Sequence, residues 1–178
     1  MERIADGDER AFRLLADRHL GRILRLGRKM LGPTAEVDDV AQEALLRIWM
    51  NAGSWRADLS RLTTWIYTIV YRLCLDRLRA SRTVSLDLVM EAEDPAPGAL
   101  ETLSRQDDAR RLAAAVQLLQ PRQRAAVTLF YYEELSGEDA AAVMHVSLRA
   151  FWSLLHRARQ TVQQHLQESL SPSMKVDP

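Results

Sequence analysis

Apolar residues recur with a helical period along most of the chain, and strand-like alternation is scarce. The first periodic stretch runs from Glu9 to Leu31 and ends at Gly32-Pro33, a pair that stops a helix. A second runs from about Glu36 to Trp49 with an acidic first turn, which suits the positive end of a helix dipole. A third covers about 64–82. This pattern predicts an all-α fold.

Residues 83–106 interrupt the pattern with several acidic side chains and two prolines close together. Such a composition is typical of a flexible linker. Helical periodicity resumes near Asp107, and a further helix begins at Gln120-Pro121, where proline is tolerated in the first turn. The chain is therefore predicted to form two small helical domains, 1–82 and 107–170, followed by a tail at 171–178.

The second domain carries a recognisable supersecondary pattern. Ser136 precedes Asp139 by three residues, which matches a capping box and predicts a short helix after it. A tight turn follows, with Ser147 as the next cap, and a longer helix is predicted over about 148–166. A short helix, a turn and a longer helix are the order of a helix-turn-helix motif.

Charge is unevenly distributed although the formal net charge is zero, with 24 Lys and Arg against 24 Asp and Glu in 178 residues. Residues 1–82 hold 15 basic and 11 acidic side chains, 83–109 hold 1 and 7, and 110–178 hold 8 and 6. Two mildly basic blocks thus flank an acidic strip. Such blocks suit modest affinity for nucleic acid, which overall neutrality would otherwise argue against.

Several classes of protein are disfavoured by what the sequence lacks. Phosphate loops, nucleophile elbows and metalloprotease motifs are absent, so we predict no enzymatic activity and no cofactor. The single cysteine, Cys74, favours a reducing, cytoplasmic compartment, and the four histidines lack metal-ligand spacing. No apolar run is long enough to cross a bilayer, and the charged N-terminus does not resemble a signal peptide.

Five of the eleven aromatic residues fall between positions 49 and 71, interleaved with arginines. Aromatic faces accept unstacked bases and guanidinium groups follow phosphates, so this mixture suits single-stranded or locally opened nucleic acid. Trp49 and Trp65 lie on or beside apolar stripes and are predicted to be core. We expect Trp55, Tyr67 and Tyr71 to be exposed.

Four of these five aromatic residues fall within segments that resemble a known family, and Trp55 lies between two of the segments. The segments 7–12, 36–49 and 64–79 resemble region 2 of the extracytoplasmic-function (ECF) sigma factors, and 119–124 and 154–159 resemble their region 4. The resemblance covers nearly the whole chain outside the linker, in the family's order and spacing, and extends to the sigma factors of cobalt-nickel resistance systems. It implies a bacterial protein that binds core RNA polymerase, directs it to −10 and −35 promoter elements, and helps to open the duplex.

The resemblance also implies sites. Docking on the β′ coiled coil of polymerase, with further contact to the β subunit, would use Asp39, Gln42, Glu43 and Arg47. The −10 element and a flipped base would be held by the loop at about 54–63 and the helix after it, with Arg56, Arg61, Thr64, Tyr71, Arg72 and Arg79. The −35 element would be contacted by Arg122, Arg124, Ser147, Arg149, Ala150, Trp152, Ser153, His156 and Arg157.

Three positions depart from the family pattern. Arg72 stands where Asn is usual, Trp152 where a basic residue is common, and Leu154 where Arg is frequent. Trp152 could be core, contact a thymine methyl, or belong to a partner interface. Arg157, like His156, could serve packing and solvation instead of phosphate contact.

Regulation follows from the resemblance as well. A membrane-anchored anti-sigma factor would sequester the protein between its two domains and hold it at the inner membrane, without insertion of the chain itself. Two alternatives from other classes are a dimeric helix-turn-helix regulator, which would need a dimerisation element, and an adaptor that binds only proteins.

Overall fold

The computed structural model describes residues 1–84 and 102–170, with side chains described for 1–81 and 108–167. The secondary structure of these residues is helical, which confirms the predicted all-α class. The predicted acidic linker falls mostly at 85–101, and this segment and the predicted tail at 171–178 lie outside the described residues.

The first half of the chain is a helical bundle. Its elements are α1 (Glu2–Ala5), α2 (Glu9–Leu31), α3 (Glu36–Met50), a 3₁₀ turn (Ala52–Ser54) and α4 (Leu62–Val84). The Asp8 carboxylate accepts a hydrogen bond from the Ala11 N–H and caps α2. At the other end Gly32 has φ 81°, a left-handed conformation that glycine adopts without steric cost.

The core of this half lies where α2, α3 and α4 pack on one another. Each helix contributes an apolar stripe, and Ile23, Val40 and Ile66 are all buried. Gly27 allows α2 to approach α3 closely, since a Cβ at this position would lie 3.1 Å from Val37 Cγ1. The sequence periodicity therefore placed these three helices correctly.

The second half contains the predicted helix-turn-helix. Its elements are α5 (Thr102–Gln117), α6 (Pro121–Val127), a π turn (Thr128–Tyr132), α7 (Gly137–Met144) and α8 (Leu148–Leu170). The Ser136 hydroxyl accepts from the Asp139 N–H at 3.0 Å, and the Ser147 hydroxyl from the Ala150 N–H at 3.2 Å, so both predicted caps are present. Between them His145 adopts a left-handed backbone with φ 51°.

Helix bounds differ from the predicted domain limits at the linker. The helix before it continues to Val84, and α5 begins at Thr102, earlier than the predicted resumption near residue 107. The helix that begins at Pro121 is also shorter in its α-helical part than the apolar pattern through Phe130 indicates. It gives way to the π turn, and Glu133, the residue directly after this turn, contacts Arg25 and Tyr67 of the first half.

The two halves pack directly against each other. Helix α7 lies on α4, while α6 and the π turn lie on α2. The contact is partly polar, because Arg124 of α6 donates to the Met30 carbonyl at 2.6 Å and Gln117 donates to the Lys29 carbonyl at 3.1 Å. Both carbonyls belong to the last turn of α2, where they have no partner within the helix.

Candidate polymerase and nucleic-acid interfaces

Helix α3 presents a polar face opposite its buried stripe. Asp39, Gln42 and Arg47 are exposed and Glu43 is half-buried, and Arg47 donates to the Glu43 carboxylate at 2.7 Å. The four predicted polymerase-docking residues thus share one accessible surface. A surface ion pair of this kind adds little stability, which leaves its charges available to a partner.

Two apolar side chains on α3 were missed by the sequence prediction. Leu46 is 52% exposed and Met50 is 71% exposed. The signal was available, since these positions are one turn apart and four and seven residues beyond Gln42 and Glu43, which puts them on the same side of the helix. Together they add an apolar area at one end of the polar face of α3.

The loop between the 3₁₀ turn and α4 borders a cavity of about 550 Å³. Its lining includes Trp55 of the loop, Leu62 at the start of α4, and Leu15 and His19 of α2. The Trp55 indole N–H is buried without a hydrogen-bond partner. Trp55 itself is half-buried rather than exposed as predicted. Arg56, further along the loop, is exposed and pairs with Asp58 at 3.2 Å.

His19 is buried at the wall of this cavity. Burial lowers the pKa of its imidazole, and the charges of Arg22 and then Arg18 lower it further. The neutral form is therefore favoured, and this imidazole lines the cavity together with apolar side chains and with Glu2, Arg3 and Arg18. This role of His19 was not predicted, because the residue lies within the apolar stripe of α2.

The remaining predicted −10 residues are Arg61, directly before α4, and four residues on α4, and the second half of the chain contacts three of these five. Thr64 donates to the Asp139 carboxylate at 3.3 Å, and Arg61 lies 3.6 Å from the same carboxylate. Arg72 contacts the His145 imidazole at 2.8 Å. The helix-turn-helix therefore lies over the surface assigned to the −10 element.

The expectation that Tyr67 and Tyr71 are exposed is wrong. Their exposed fractions are 2% and 3%. Burial raises the pKa of both phenols, and for Tyr67 the hydrogen bond to Glu133 raises it further. The helical period of α4 predicts that this face is exposed, but the second half of the chain covers it. The sequence of α4 by itself contains no information on that contact.

A buried carboxylate stands at the centre of this contact. The Glu133 side chain is only 1% exposed, and it accepts from Arg25 Nε at 2.7 Å and Arg25 Nη2 at 2.8 Å. The Tyr67 hydroxyl forms a short hydrogen bond with the same carboxylate. This hydrogen-bonded ion pair raises the pKa of Arg25 above its ordinary value. None of these roles was predicted.

The N-terminal half of α8 holds most of the predicted −35 residues. Ser147, Arg149, Trp152, Ser153, His156 and Arg157 are exposed, and Ala150 is half-buried. The Ser147 hydroxyl is engaged as the helix cap. Arg159, on the same helix, donates to the Tyr131 hydroxyl at 2.6 Å.

Trp152 is not a core residue, which removes one of its three alternatives. It is 43% exposed and packs edge-on against Phe130 and Phe151, at 5.4 and 5.3 Å between ring centroids. One edge of the indole is therefore fixed by aromatic neighbours while the other is open to a ligand.

Arg122 and Arg124 were both predicted to contact phosphate, and they are placed very differently. Arg122 is exposed and lines a cleft of about 400 Å³ with Arg79 and Arg157, so predicted −10 and −35 residues meet there. Arg124 is half-buried and donates to carbonyls of Met30, Gln117 and Leu119. Burial lowers its pKa. Arg124 is thus a structural residue in this arrangement, because its donors are turned inward.

The described residues outside these surfaces hold neither a membrane span nor a metal site. None of their helices is both long and apolar enough to cross a lipid bilayer. They hold no group of three or more His, Cys, Asp or Glu side chains that could bind a metal ion. Cys74 is buried, and burial raises the pKa of its thiol to about 12.

Comparison with known proteins matches both halves. Residues 15–83 match the family model for sigma-70 region 2, and residues 109–168 match that for sigma-70 region 4. The chain is 32% identical to the RNA polymerase sigma-H factor of Pseudomonas aeruginosa, over 96% of this chain and 93% of that protein. The ECF RNA polymerase sigma-E factor of Escherichia coli is 30% identical, over 94% and 92%.

Two solved structures share the fold. One is the sigma factor RpoE with the anti-sigma factor NepR from Bartonella quintana, with TM-score 0.69 and 23% identity over 88% of this chain and 97% of that one. The other is CnrH with the cytosolic domain of CnrY, with TM-score 0.67 and 24% identity over 94% of each chain.

The chain belongs to the sigma-70 family, whose members are non-catalytic factors that bind core RNA polymerase and promoter DNA. Within that family it is an ECF sigma factor, reduced to regions 2 and 4 in the residues that match.

Proposed function

We propose that the exposed face of α3 is the main docking surface for core polymerase. Asp39, Gln42, Glu43 and Arg47 supply its polar part, and the exposed Leu46 and Met50 extend it with apolar area. An apolar patch bordered by polar groups is the usual composition of a protein interface. By family resemblance its partner is the coiled coil of the β′ subunit, and a separate contact joins the β subunit.

The −10 element binds the loop after the 3₁₀ turn and the adjoining face of α4. Arg56, Arg61, Arg72 and Arg79 are exposed and supply cationic groups for the non-template strand. Thr64 and Tyr71 are buried, so they do not reach the strand in this arrangement. The cavity beside Trp55 supports capture of an unstacked base, because Trp55 supplies an aromatic side chain to its lining. Stacking on such a group contributes about 1 to 3 kcal/mol.

The −35 element binds the N-terminal half of α8 in the major groove. Arg149 and Ser153 are exposed on this half and suit base edges or phosphates, while His156 and Arg157 extend the surface along the helix. The open edge of Trp152 fits contact with a thymine methyl group or with a protein partner. Ser147 and Ala150 would allow the helix backbone to approach the DNA closely. Arg122 would contact a phosphate.

Regulation involves an anti-sigma factor that is anchored in the membrane. Support comes from the two solved relatives of the same fold, one bound to an anti-sigma factor and one to the cytosolic domain of CnrY. The protein would act in the cytoplasm and be held at the inner membrane by that partner. A role in cobalt-nickel resistance stays a prediction.

The observation that carries the proposal is the match of both halves to sigma regions together with an intact, doubly capped helix-turn-helix. The test is run-off transcription with purified protein and core polymerase on fragments of the host genome. Promoter-specific transcripts that core polymerase alone does not make are expected. Absence of such transcripts from every fragment would contradict promoter recognition, and pull-down of core polymerase would then tell whether docking survives.

A further inference from the structure

A cleft of about 400 Å³ lies where α4, α6 and α8 meet. One exposed arginine lines it from each helix: Arg79 from α4, Arg122 from α6 and Arg157 from α8. Burial raises the pKa of the Tyr71 phenol, and the charges of Arg122 and Arg79 both oppose that rise. These arginines are far apart in the sequence, so only the packing of the three helices brings them to one site.

Positive charge in this cleft is not balanced by carboxylates. No Asp or Glu is among its described lining residues, and Arg122 and Arg157 form no ion pair with any residue in the described ranges. Arg157 Nε donates to the Ser153 carbonyl at 3.3 Å, which leaves its charge uncompensated. Arg79 does have a partner, because its Nη1 atom lies 3.6 Å from the Asp76 carboxylate. Even so, two uncompensated cations at one site repel each other, and a bound anion would relieve that repulsion.

The rest of the described lining is largely apolar. It includes the half-buried side chains of Leu75, Leu78, Pro121 and Leu154. A mostly apolar lining with a few polar groups is typical of small-molecule sites, whose volumes begin at about 300 Å³. A phosphate or sulfate ion alone would leave these apolar side chains uncovered. The lining therefore favours a ligand that has an apolar part as well as an anionic part.

Nucleotides combine these two parts. A guanidinium group binds phosphate with two parallel hydrogen bonds, which a lysine ammonium cannot do. The base offers a flat apolar face to the leucines, and the amide groups of Gln120 and Gln123, which also line the cleft, can donate to and accept from its edge. Several phosphates can engage more than one arginine at a time, so a nucleoside triphosphate fits this lining better than a monophosphate.

We propose that the cleft between α4, α6 and α8 binds a nucleoside triphosphate, with its phosphates on Arg122, Arg157 and Arg79 and its base on the apolar lining. The three arginines are also proposed contacts of promoter DNA. A bound nucleotide would therefore compete with DNA phosphates for the same guanidinium groups. Nucleotide binding stands on the cleft alone, whereas the competition rests on the proposed function.

Nucleotide binding can be measured on the full-length protein without polymerase. The probe is ATP with an N-methylanthraniloyl fluorophore on the ribose, and its fluorescence anisotropy is followed at fixed salt without added Mg²⁺. Unlabelled ATP, AMP and tripolyphosphate then serve as competitors. We expect ATP to compete about tenfold better than AMP, which has two phosphates fewer, and about threefold or more better than tripolyphosphate, which has no base.

Single substitutions test the site itself. Arg122→Gln and Arg157→Gln each remove one charge from an exposed side chain, so each should weaken binding of the labelled ATP about fivefold or more. Arg111→Gln is the matched control, because Arg111 is an exposed arginine of α5 outside the cleft. Circular dichroism checks that each variant is folded.

Competition with DNA is tested with a fluorescein-labelled duplex of mixed sequence, bound to the protein at low salt. Saturating ATP should displace this duplex. Sodium sulfate at the same ionic strength is the control, since it screens charge without offering a base to the apolar lining. The Arg122→Gln variant should lose most of the displacement by ATP.

The outcomes separate the nucleotide site from the proposed function. Absence of saturable binding of the labelled ATP would overturn the site, and so would an equal loss of affinity in Arg111→Gln. Equal competition by tripolyphosphate and ATP would overturn the assignment to a nucleotide. Displacement of the duplex by ATP no better than by sulfate would overturn the competition. If the protein binds no duplex and run-off transcription fails, the proposed function fails instead, and binding of the labelled ATP still decides on the cleft.

Discussion

The indole of Trp152 lies directly over Gly137, so closely that a Cβ on this glycine would stand 2.5 Å from Trp152 Cζ2. Gly137 is the first residue of α7 and Trp152 lies in the first half of α8. The missing side chain thus sets how the two helices of the motif approach each other. Many residue types can begin a helix, but at position 137 the indole of Trp152, fifteen residues later, leaves room only for glycine.

Exchange of Gly137 for alanine should therefore disturb the motif. In an exposed helix with open space, alanine stabilises by about 0.5–1 kcal/mol relative to glycine. Gly21→Ala on α2 meets nothing within 4 Å and should show this gain. Gly137→Ala should show no gain and should shift the Trp152 indole resonance. Urea unfolding with NMR spectra of both variants measures this, and equal stabilisation would disprove the close contact.

Charge reversal on α3 should weaken polymerase binding without unfolding the protein. Asp39→Lys with Glu43→Lys changes two accessible charges opposite the buried stripe, so we expect affinity for core polymerase to fall roughly tenfold or more. Asp17→Lys on α2 is the control, since Asp17 is an exposed acidic residue outside the proposed surface. Native thermal stability with unchanged polymerase affinity in the double variant would remove α3 as the docking site.

Arg149→Ala should weaken duplex binding in a way that depends on salt. Arg149 is exposed near the start of α8, where a recognition helix enters the major groove. If it contacts a phosphate, the slope of log affinity against log salt should decrease by about 0.9. If it contacts a base edge, the slope of log affinity against log salt should stay the same, and the preference for one DNA sequence over others should decrease. Titration of duplex DNA at several salt concentrations decides between them, and no change in either would exclude Arg149 from the DNA interface.

His19 should make the protein less stable in mild acid. Its folded-state pKa is lowered from the ordinary 6.5, so the unfolded chain binds a proton more readily than the folded one. Stability is then highest above pH 6.5 and decreases as the pH falls through that value toward the folded-state pKa. His19→Gln should flatten this dependence, whereas His156→Gln, on the exposed side of α8, should retain it. Urea unfolding at a series of pH values provides the measurement.

Local features of the fold were readable from the sequence. Helix α2 spans the predicted stretch Glu9–Leu31 and ends before Gly32 as predicted, and both predicted serine caps of the helix-turn-helix are present, because these signals depend only on neighbouring residues. The exposed face of α3 was equally predictable, since its polar residues share one helical stripe. The match to sigma regions confirms the family that these motifs indicate.

Contacts between distant parts of the chain were not readable. Tyr67 and Tyr71 are buried because α7 covers α4, and the partner of Tyr67, Glu133, lies 66 residues away. Arg124 has the sequence context of a phosphate-binding residue, yet its donors meet carbonyls of both halves. Helical periodicity describes each helix by itself and contains no information on which helix face a second domain will cover.

Arg124 has a consequence for how the two halves are coupled. Its guanidinium meets the carboxyl ends of two helices at once, Met30 in the last turn of α2 and Gln117 at the end of α5. Each of these ends carries the negative pole of a helix dipole. One cation therefore neutralises two poles that would otherwise repel each other, and a planar, forked group is needed to reach both. A lysine would conserve the charge but not the simultaneous contact.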